Sequence, residues 1–208
     1  MNFKEFFSKQ AEKPSGIFGR VVMSHIFEKG NADLNSFMKE LLSPEETDHI
    51  LEIGFGTGRL ISDMAAITKR GIIEGVDFSE TMVSVARKKN RKYMEKGRVR
   101  IRRGSFEEIP YSENSFDKIC SANTIYFWPD PVDIAKKILK IMKPGGKLVI
   151  GFGDREQLRE KPLSSKVFRL YSINDVKNIL KESGFTSGID VISKQGKSFI
   201  LNCAVAVK

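Results

Sequence analysis

Short apolar runs alternate with longer helix-periodic segments through the middle of the chain. Five of the apolar runs have the length of β-strands: 49–53, 72–77, 99–102, 116–122 and 147–152. Three segments between them show the spacing of amphipathic helices: 57–69, 79–96 and 131–142. Strands that alternate with helices of this length predict βαβ units and a parallel sheet.

The C-terminal part of the chain follows a different pattern. Ser172 and Asp175 form a capping box that begins a helix, and Gly184 ends it. Two extended runs, 189–194 and 198–207, follow with only Gln195-Gly196-Lys197 between them. Because so short a connection permits only an antiparallel pairing, we predict that the sheet ends in a hairpin.

Residues 1–16 are predicted to be loose or partly helical. Two segments with the apolar stripe of an amphipathic helix follow them and precede the first predicted strand. The first stripe ends at Gly30 and consists of Ile17, Phe18, Val21, Val22 and Ile26. The second consists of Leu34, Phe37, Met38, Leu41 and Leu42, and Asn31 or Asp33 is its expected N-cap.

A glycine-rich loop, E-I-G-F-G-T-G over residues 52–58, joins the first predicted strand to the first of the intervening helices. No Lys-Ser/Thr pair follows it, which argues against a phosphate-binding P-loop, and Arg59 replaces the third glycine of a dinucleotide fingerprint. Asp77 ends the second strand about 20 residues later, where a carboxylate can accept the hydroxyl hydrogens of a ribose. The sequence therefore predicts a nucleoside ligand that needs no phosphates at the loop.

Four segments resemble, in order, the motifs of class I S-adenosylmethionine-dependent methyltransferases: I-L-E-I-G-F-G-T-G, G-V-D-F-S-E-T-M, R-R-G-S-F-E-E-I-P-Y-S-E-N-S-F-D-K-I and M-K-P-G-G-K-L-V-I. The resemblance covers about residues 46–152 and is nearest to the small-molecule enzymes of ubiquinone and menaquinone biosynthesis. It implies a Rossmann-like, doubly wound α/β sheet of seven strands in the order 3-2-1-4-5-7-6, with strand 7 antiparallel. It also implies an N-terminal helical lid over 1–45 and one methyltransferase domain over 46–208.

The resemblance also implies which residues bind the cofactor S-adenosyl-L-methionine. They are Glu52, Gly54, Gly56, Gly58, Asp77, Phe78, Met82, Ser105, Phe106 and Asn123. The three glycines would pass under the methionine part, and Glu52 would hold either the loop or the ammonium group. Asp77 would hold the ribose, and Phe78 with Met82 would flank the adenine.

Two of these positions carry particular expectations. Ser105 stands where the family often has an aspartate that reaches the adenine amino group, so the backbone amide of Phe106 would take over part of that contact. Asn123 ends the fourth predicted strand and would lie beside the sulfonium, with a plain strand-end turn as the alternative interpretation.

Methyl transfer by in-line displacement mainly requires that the acceptor, the methyl group and the sulfur are aligned and that water is excluded. Its product is S-adenosyl-L-homocysteine. A general base is optional, and the sequence offers no catalytic triad or metal-ligand cluster, so no metal is expected. Tyr126 and His25 are the candidate bases. Tyr126 and Trp128 follow the fourth strand and are predicted to line the acceptor site, which the apolar lid segments suggest is lipophilic or aromatic.

Composition agrees with a single α/β domain of 208 residues that is 40% hydrophobic. The two cysteines, Cys120 and Cys203, lie in apolar runs and are expected to be reduced core residues. No run approaches the length of a membrane span, about 20 apolar residues, and the N-terminus lacks a continuous apolar signal segment, so a cytoplasmic protein is expected. A monomer or a homodimer is expected.

A net charge of +9, concentrated at residues 87–103, leaves a second function open: methylation of RNA or another nucleic acid. An N-P-P-Y-like motif and a nucleophilic cysteine after proline are both missing, and alternating arginines over 99–103 would also protect an exposed sheet edge. A third hypothesis is a cofactor-binding module that performs no methyl transfer.

Overall fold

Within residues 2–197 and 199–208, which the computed structural model describes, seven strands form one mixed sheet. They are β1 (His49–Ile53), β2 (Ile72–Asp77), β3 (Val99–Arg103), β4 (Phe116–Ala122), β5 (Met142–Phe152), β6 (Ser187–Gln195) and β7 (Ile200–Val207). Their order is β3-β2-β1-β4-β5-β7-β6, and β7 runs antiparallel to both of its neighbours. The predicted fold class and strand order are confirmed. Ser198, with which the last predicted run begins, lies outside the described residues, as does Met1.

Helices precede the sheet and connect its strands. They are α1 (Phe3–Glu12), α2 (Gly16–Phe18), α3 (Ser24–Gly30), α4 (Ala32–Leu42), α5 (Arg59–Ala65), α6 (Glu80–Met94), α7 (Pro131–Ile141), α8 (Arg155–Arg159) and α9 (Ile173–Glu182). The predicted caps at Asp130 and Ser172 are both formed, and Ser172 makes the capping box with Asp175. In the part of the chain that the structure describes, no helix has the length and apolarity to cross a membrane.

The sheet separates two apolar layers of the core. Helices α4, α5 and α6 pack on one face through residues such as Met38, Leu60 and Ala86. Helices α7 and α9 pack on the other face through residues such as Ile138 and Leu180. The central strands are buried on both faces, as expected for parallel strands with helices on both sides. Both cysteines are buried and free, as predicted.

Several predicted boundaries differ from the structure. The fifth strand begins at Met142 rather than 147, directly after α7 ends, because Met142 already pairs with Phe116 of β4; the pairing is irregular through Gly145 and Gly146 and resumes at Lys147. Helix α5 begins only at Arg59 because Gly58, with φ +69°, has a left-handed backbone that a helix cannot include. The lead at 1–16 is more ordered than expected, since α1 occupies Phe3–Glu12 with Asn2 as its N-cap.

The two predicted N-terminal stripes behave differently. The second one, on α4, is buried and belongs to the core of the sheet, although it lies within the range assigned to the lid. The first lies on a continuous helix made of α2, a π-helical turn at Gly19–Met23 and α3. The predicted helix is present, and four of the five apolar side chains in its stripe are exposed.

A buried ion pair closes the end of the sheet opposite the carboxyl ends of β1 and β4. The Nζ of Lys118 donates to Asp48 Oδ2 at 2.6 Å and to the Ser43 carbonyl oxygen at 2.6 Å. The same Asp48 oxygen accepts the Glu45 amide at 2.6 Å. Both charged side chains are nearly inaccessible to water, so each depends on the other.

Replacing Asp48 with Ala is expected to lower the free energy of unfolding by about 3 kcal/mol, because it leaves a buried ammonium group with only the exposed Glu45 carboxylate, at 3.5 Å, as a counter-ion. The Asp48→Ala/Lys118→Met variant is expected to recover most of that loss, because it removes the stranded charge as well. Urea unfolding at neutral pH measures both variants. Equal instability of the single and double variants would contradict this account of Lys118.

Candidate active site

A cavity of about 700 Å³ opens at the carboxyl ends of β1, β2 and β4. This is the edge of a doubly wound sheet where ligands bind, and the volume lies within the range of cavities that hold small molecules. The N-terminal helices cover one side of it, and the segment 152–168 covers another. The cavity therefore lies where the sequence places the cofactor and the acceptor.

The loop after β1 forms the floor of the cavity and depends on glycine at position 54. Gly54 has φ +69°, and its amide donates to the Val76 carbonyl oxygen at 2.8 Å. A Cβ atom at this position would lie 2.4 Å from Thr124 Cγ2. The loop can therefore approach both β2 and the segment after β4 only without a side chain at residue 54.

Gly56 and Gly58 differ in where they lie. Gly56, with φ +52°, lines the cavity, and a Cβ there would meet only the Phe27 ring at 3.4 Å. Gly58 does not line the cavity. A Cβ at Gly58 would lie 2.7 Å from Ala86 Cβ and 2.8 Å from Asn90 Nδ2, so this glycine lets the loop pack against α6. The structure therefore brings two of the three predicted glycines to the cavity.

Asp77 holds the glycine loop and the start of α6 together. Its Oδ2 accepts the Gly56 amide at 2.9 Å, and its Oδ1 accepts the Ser79 amide at 2.8 Å. Burial raises the pKa of Asp77 from 3.8 to about 6, although these two amides act in the opposite direction. Each carboxylate oxygen has a second lone pair, so Asp77 can still accept hydrogens from a ligand in the cavity.

Glu52 is the buried carboxyl group beneath the loop. It is 2% exposed, and its Oε2 has no hydrogen-bond partner among the described residues. Burial raises its pKa well above 4.5, and the negative charge of Asp77 raises it further. A buried carboxyl oxygen that lacks a partner is destabilising unless a donor or a cation meets it. Because Glu52 lines the cavity, an amine-bearing ligand suits this position.

The side chains predicted to surround the adenine also line the cavity. Phe78 and Met82 lie beside Asp77, and Phe106 lies opposite on the loop after β3. Ser105 lines the cavity too, but its hydroxyl group is hydrogen-bonded to the Glu107 carboxylate. The Ser105 side chain is therefore engaged locally, which leaves backbone groups as the available contacts at this position.

The segment from Ala11 to Pro14 covers this end of the cavity. The Ser79 hydroxyl donates to the Pro14 carbonyl oxygen at 2.6 Å, and the Lys13 ammonium group lies 5.5 Å from the centre of the Phe78 ring. Sequence reasoning missed these contacts because nothing in the pattern of residues 1–16 indicates which part of the sheet they reach.

A polar chain connects the end of β4 to the N-terminal helices. Asn123 has φ +55°, its Nδ2 donates to Asn31 Oδ1 at 3.1 Å, and its Oδ1 accepts the Tyr126 hydroxyl at 3.2 Å. Asn31 was a predicted helix cap, but it makes no side-chain capping bond to α4 and points its oxygen to Asn123 instead. The Tyr126 hydroxyl also accepts the Gly153 amide at 2.5 Å.

Of the two candidate bases, neither is well placed for proton abstraction in this conformation. Burial raises the pKa of Tyr126 further above its ordinary value, and its oxygen already accepts a backbone amide. His25 is exposed and does not line the cavity, because the helix that carries it turns this side chain to solvent. Trp128 does line the cavity, and its Nε1 donates to Thr124 Oγ1 at 3.2 Å.

Aromatic side chains form much of the cavity wall. Besides Phe78 and Phe106, they are Phe7, Phe27, Phe55, Tyr126, Phe127, Trp128, Phe152, Phe168 and Phe199. Only Tyr126 and Trp128 were predicted here. The others come from separate parts of the chain, and only the folded structure brings them together. Among the described residues, no group of three or more His, Cys, Asp or Glu side chains is arranged to hold a metal ion.

Comparisons with known proteins agree with this geometry. A family model described as a methyltransferase domain matches residues 51–150. The uncharacterized methyltransferase YdaC of Bacillus subtilis strain 168 is 33% identical over 188 residues, which cover 90% of this chain and 98% of YdaC. The ubiquinone/menaquinone biosynthesis C-methyltransferase UbiE of Geotalea daltonii is 34% identical over 102 residues. The matched part is 49% of this chain and only 43% of UbiE.

A solved structure shows the same fold at low sequence identity. It is a methyltransferase of Haloferax volcanii, in complex with the Trm112 methyltransferase activator, and it superposes with a TM-score of 0.76. The two chains are 17% identical, and the superposition covers 99% of each. The likeness therefore extends through the N-terminal helices and the C-terminal hairpin.

Proposed function

The chain belongs to the class I S-adenosylmethionine-dependent methyltransferases, and we propose that it methylates a small lipophilic or aromatic molecule held against the aromatic wall. The observation that carries this proposal is the lining of the cavity. Carboxylates and glycine backbone lie at the strand ends, and aromatic side chains make up much of the remaining wall. A pocket with this composition favours a flat, apolar acceptor over a highly charged one.

The cofactor half of the site fits S-adenosyl-L-methionine. Glu52, whose Oε2 lacks a partner, would meet the ammonium group, and Gly54 with Gly56 would lie under the methionine part. Asp77 would accept the ribose hydroxyls, and the adenine would lie between Phe78 and the side chains of Met82 and Phe106. Gly58 would not contact the cofactor directly, because it packs against α6. The Ser105 side chain would not contact it either, because its hydroxyl group is bonded to Glu107. When bound, the cofactor supplies an activated methyl group on a sulfonium whose leaving group is a neutral thioether.

The remaining residues contribute orientation and exclusion of water. Asn123 lies between the two halves, and its bonds to Asn31 and Tyr126 fix its side chain there. Positioning of reactants can contribute about 7–11 kcal/mol in favourable cases. Because Tyr126 is held as a hydrogen-bonding group rather than as a base, we propose that the acceptor either carries no proton to be removed or loses it to water.

The basic segment 87–103 gives little support to a nucleic-acid acceptor. Arg100 and Arg102 both pair with Glu74, a buried carboxylate on the neighbouring strand. Lys89 pairs with Glu28 of α3, and Arg98 donates to two backbone carbonyl oxygens. These four of the segment's ten cations are engaged within the protein, whereas phosphate binding requires cations that are free to release counter-ions. Lys88 and Lys96 are exposed and form no ion pair within the described residues, so the support for a nucleic-acid acceptor comes from a minority of the segment.

Transfer of a labelled methyl group from the cofactor tests the proposed function. The protein is incubated with labelled S-adenosyl-L-methionine and separately with small-molecule, lipid and RNA fractions of a cell extract. We expect label in an organic-soluble product and none in RNA, and Asp77→Ala serves as the inactive control. Label in RNA would establish the nucleic-acid alternative. Cofactor binding without transfer to any fraction would favour a non-catalytic module.

Cofactor affinity is expected to fall as the pH falls below about 6. The reason is that Asp77, with its pKa raised to about 6, must be ionised to accept both ribose hydroxyls. Linkage limits the loss to about tenfold per pH unit from this group. Calorimetric titration between pH 5 and pH 8 measures it, and Asp77→Asn is expected to bind at least about tenfold more weakly at pH 7.5 with a flatter profile.

The same pKa shift has the opposite consequence for stability without cofactor. Because folding raises the pKa of Asp77, the folded protein binds the proton more tightly than the unfolded chain between pH 3.8 and about 6. The contribution of this group to stability therefore decreases as the pH rises through that window. A pH profile of Asp77→Asn parallel to that of the wild type, in affinity and in stability, would refute both assignments.

A further inference from the structure

Exposed apolar side chains are concentrated in the N-terminal helices. Of the eight large apolar residues that are exposed in the described part of the chain, five lie before residue 27: Phe3, Ile17, Val21, Val22 and Ile26. Ile17 is 84% exposed and Val21 is 61% exposed. Apolar patches of this kind on a protein surface mark sites of contact with another apolar phase or a partner.

Four of these residues lie along one side of one helix. Val21 and Val22 follow Ile17 by four and five residues, and Ile26 follows them by five and four, on the continuous helix of α2, the π-helical turn and α3. A π-helical turn places residues five apart above one another, so the row continues through it. We call these four residues the N-terminal apolar face. Because Ile26 also lines the cavity, this face continues to the cavity opening.

The charges around the N-terminal apolar face are predominantly positive. Arg20 and Lys29 on the same helix are exposed, and neither forms an ion pair within the described residues. The acidic Glu5 and Glu28 are both paired, with Lys9 and Lys89 respectively. An exposed apolar row beside unpaired cations is the composition of helices that bind at the surface of anionic membranes.

We propose that the N-terminal apolar face docks on an anionic lipid bilayer. Ile17, Val21 and Val22 enter the boundary between headgroups and acyl chains, and Arg20 with Lys29 contacts lipid phosphates. A second copy of this chain is a poorer occupant, since a symmetric contact through this face places the same cations against each other. Delivery of a lipophilic acceptor past Ile26 rests on the proposed function, whereas docking on the bilayer does not.

Vesicle co-sedimentation tests the docking. The probes are vesicles of phosphatidylglycerol with phosphatidylcholine and vesicles of phosphatidylcholine alone. Each is measured at low and at high salt concentration. We expect partition onto the anionic vesicles that weakens with salt, and an Ile17→Ser/Val21→Ser variant that binds at least about tenfold more weakly. Ile67→Ser is the matched control, because Ile67 is 40% exposed but lies beyond α5, and it is expected to bind like the wild type.

A fluorescent probe reports which surface enters the bilayer. Both native cysteines are buried, so a polarity-sensitive thiol label attaches to Val21→Cys or, as the control, to Ile67→Cys. We expect a blue shift on addition of anionic vesicles for the label at residue 21 and none for the label at residue 67.

Three results would overturn the proposal. They are absence of partition at low salt, equal partition of wild type and the serine variant, and a concentration-dependent dimer in light scattering that the serine variant abolishes. Cofactor binding by the serine variant is expected to match the wild type, which shows that it is folded. Since vesicle binding is measured without an acceptor, its outcome is independent of whether the methyl-transfer assay succeeds.

Discussion

Replacing Glu52 with Gln is expected to weaken cofactor affinity by at least about tenfold without lowering the stability of the protein that lacks the cofactor. The first effect follows because a neutral amide loses the charge-assisted contact with the ammonium group, which typically contributes about 1.5–3 kcal/mol. The second follows because Glu52 is buried, its Oε2 has no partner, and its ionised form is destabilised by Asp77. Calorimetry measures the affinity, and urea unfolding measures the stability.

Glu74 provides the matched control for Glu52. It is also a buried carboxyl group whose Oε2 has no hydrogen-bond partner in the described part of the chain, but His49, Arg100 and Arg102 surround it and lower its pKa, with the His49 hydrogen bond as the largest cause. Glu74→Gln is therefore expected to destabilise the fold and to leave cofactor affinity unchanged. If Glu52→Gln behaves as Glu74→Gln does, Glu52 is a structural residue and its assignment to the ammonium group is wrong.

Gly54→Ala is expected to lower the free energy of unfolding by about 2–5 kcal/mol and to reduce cofactor affinity severely. The left-handed backbone of residue 54 accounts for about 1–2 kcal/mol of this loss, and the contact with Thr124 Cγ2 adds an overpacking penalty of about 1–3 kcal/mol. Relief of the contact displaces the loop from β2, so the affinity falls with the stability. Thermal unfolding and calorimetry measure the two effects.

Two further variants separate backbone strain from steric contact. Gly97 has φ +70°, and a Cβ there would meet no atom within 4 Å, so Gly97→Ala reports the cost of the left-handed backbone alone. Thr124→Ser removes the methyl group that the new Cβ would meet and keeps the hydroxyl bonded to Trp128, so it is expected to rescue Gly54→Ala in part. A Gly54→Ala loss no larger than that of Gly97→Ala would show that the loop tolerates a side chain.

The fold was predictable from sequence because most of the elements of its sheet carry a local signal. The runs that form β1, β2 and β4 match the predicted boundaries, since parallel strands buried on both faces are continuous apolar stretches between polar turns. Asp77 and the glycine loop were identifiable for the same reason, because their chemistry depends on spacing along one segment. The strand order followed from the family resemblance.

Other parts of the site were not predictable because they depend on contacts between distant segments. Gly58 cannot be told from Gly54 by sequence, and only the position of Ala86 shows that it packs against α6. The pairing of Asn31 with Asn123 spans 92 residues, so no local pattern indicates it. The periodicity of Ile17 and Val21 predicted a helix with one apolar side, but it could not show whether that side faces the core or the solvent; in the structure it is exposed.

The walls of the cavity are formed by two groups of residues that lie in different segments of the chain. The strand ends and the glycine loop are fixed by the register of the sheet, whereas the aromatic rings come mostly from the N-terminal helices and from segments after β4 and β5. Substitutions in the second group can alter the shape of one end of the cavity without disturbing hydrogen bonds at the other. A lineage built on this scaffold can thus exchange one methyl acceptor for another by gradual drift of its outer segments, while the methyl donor stays the same.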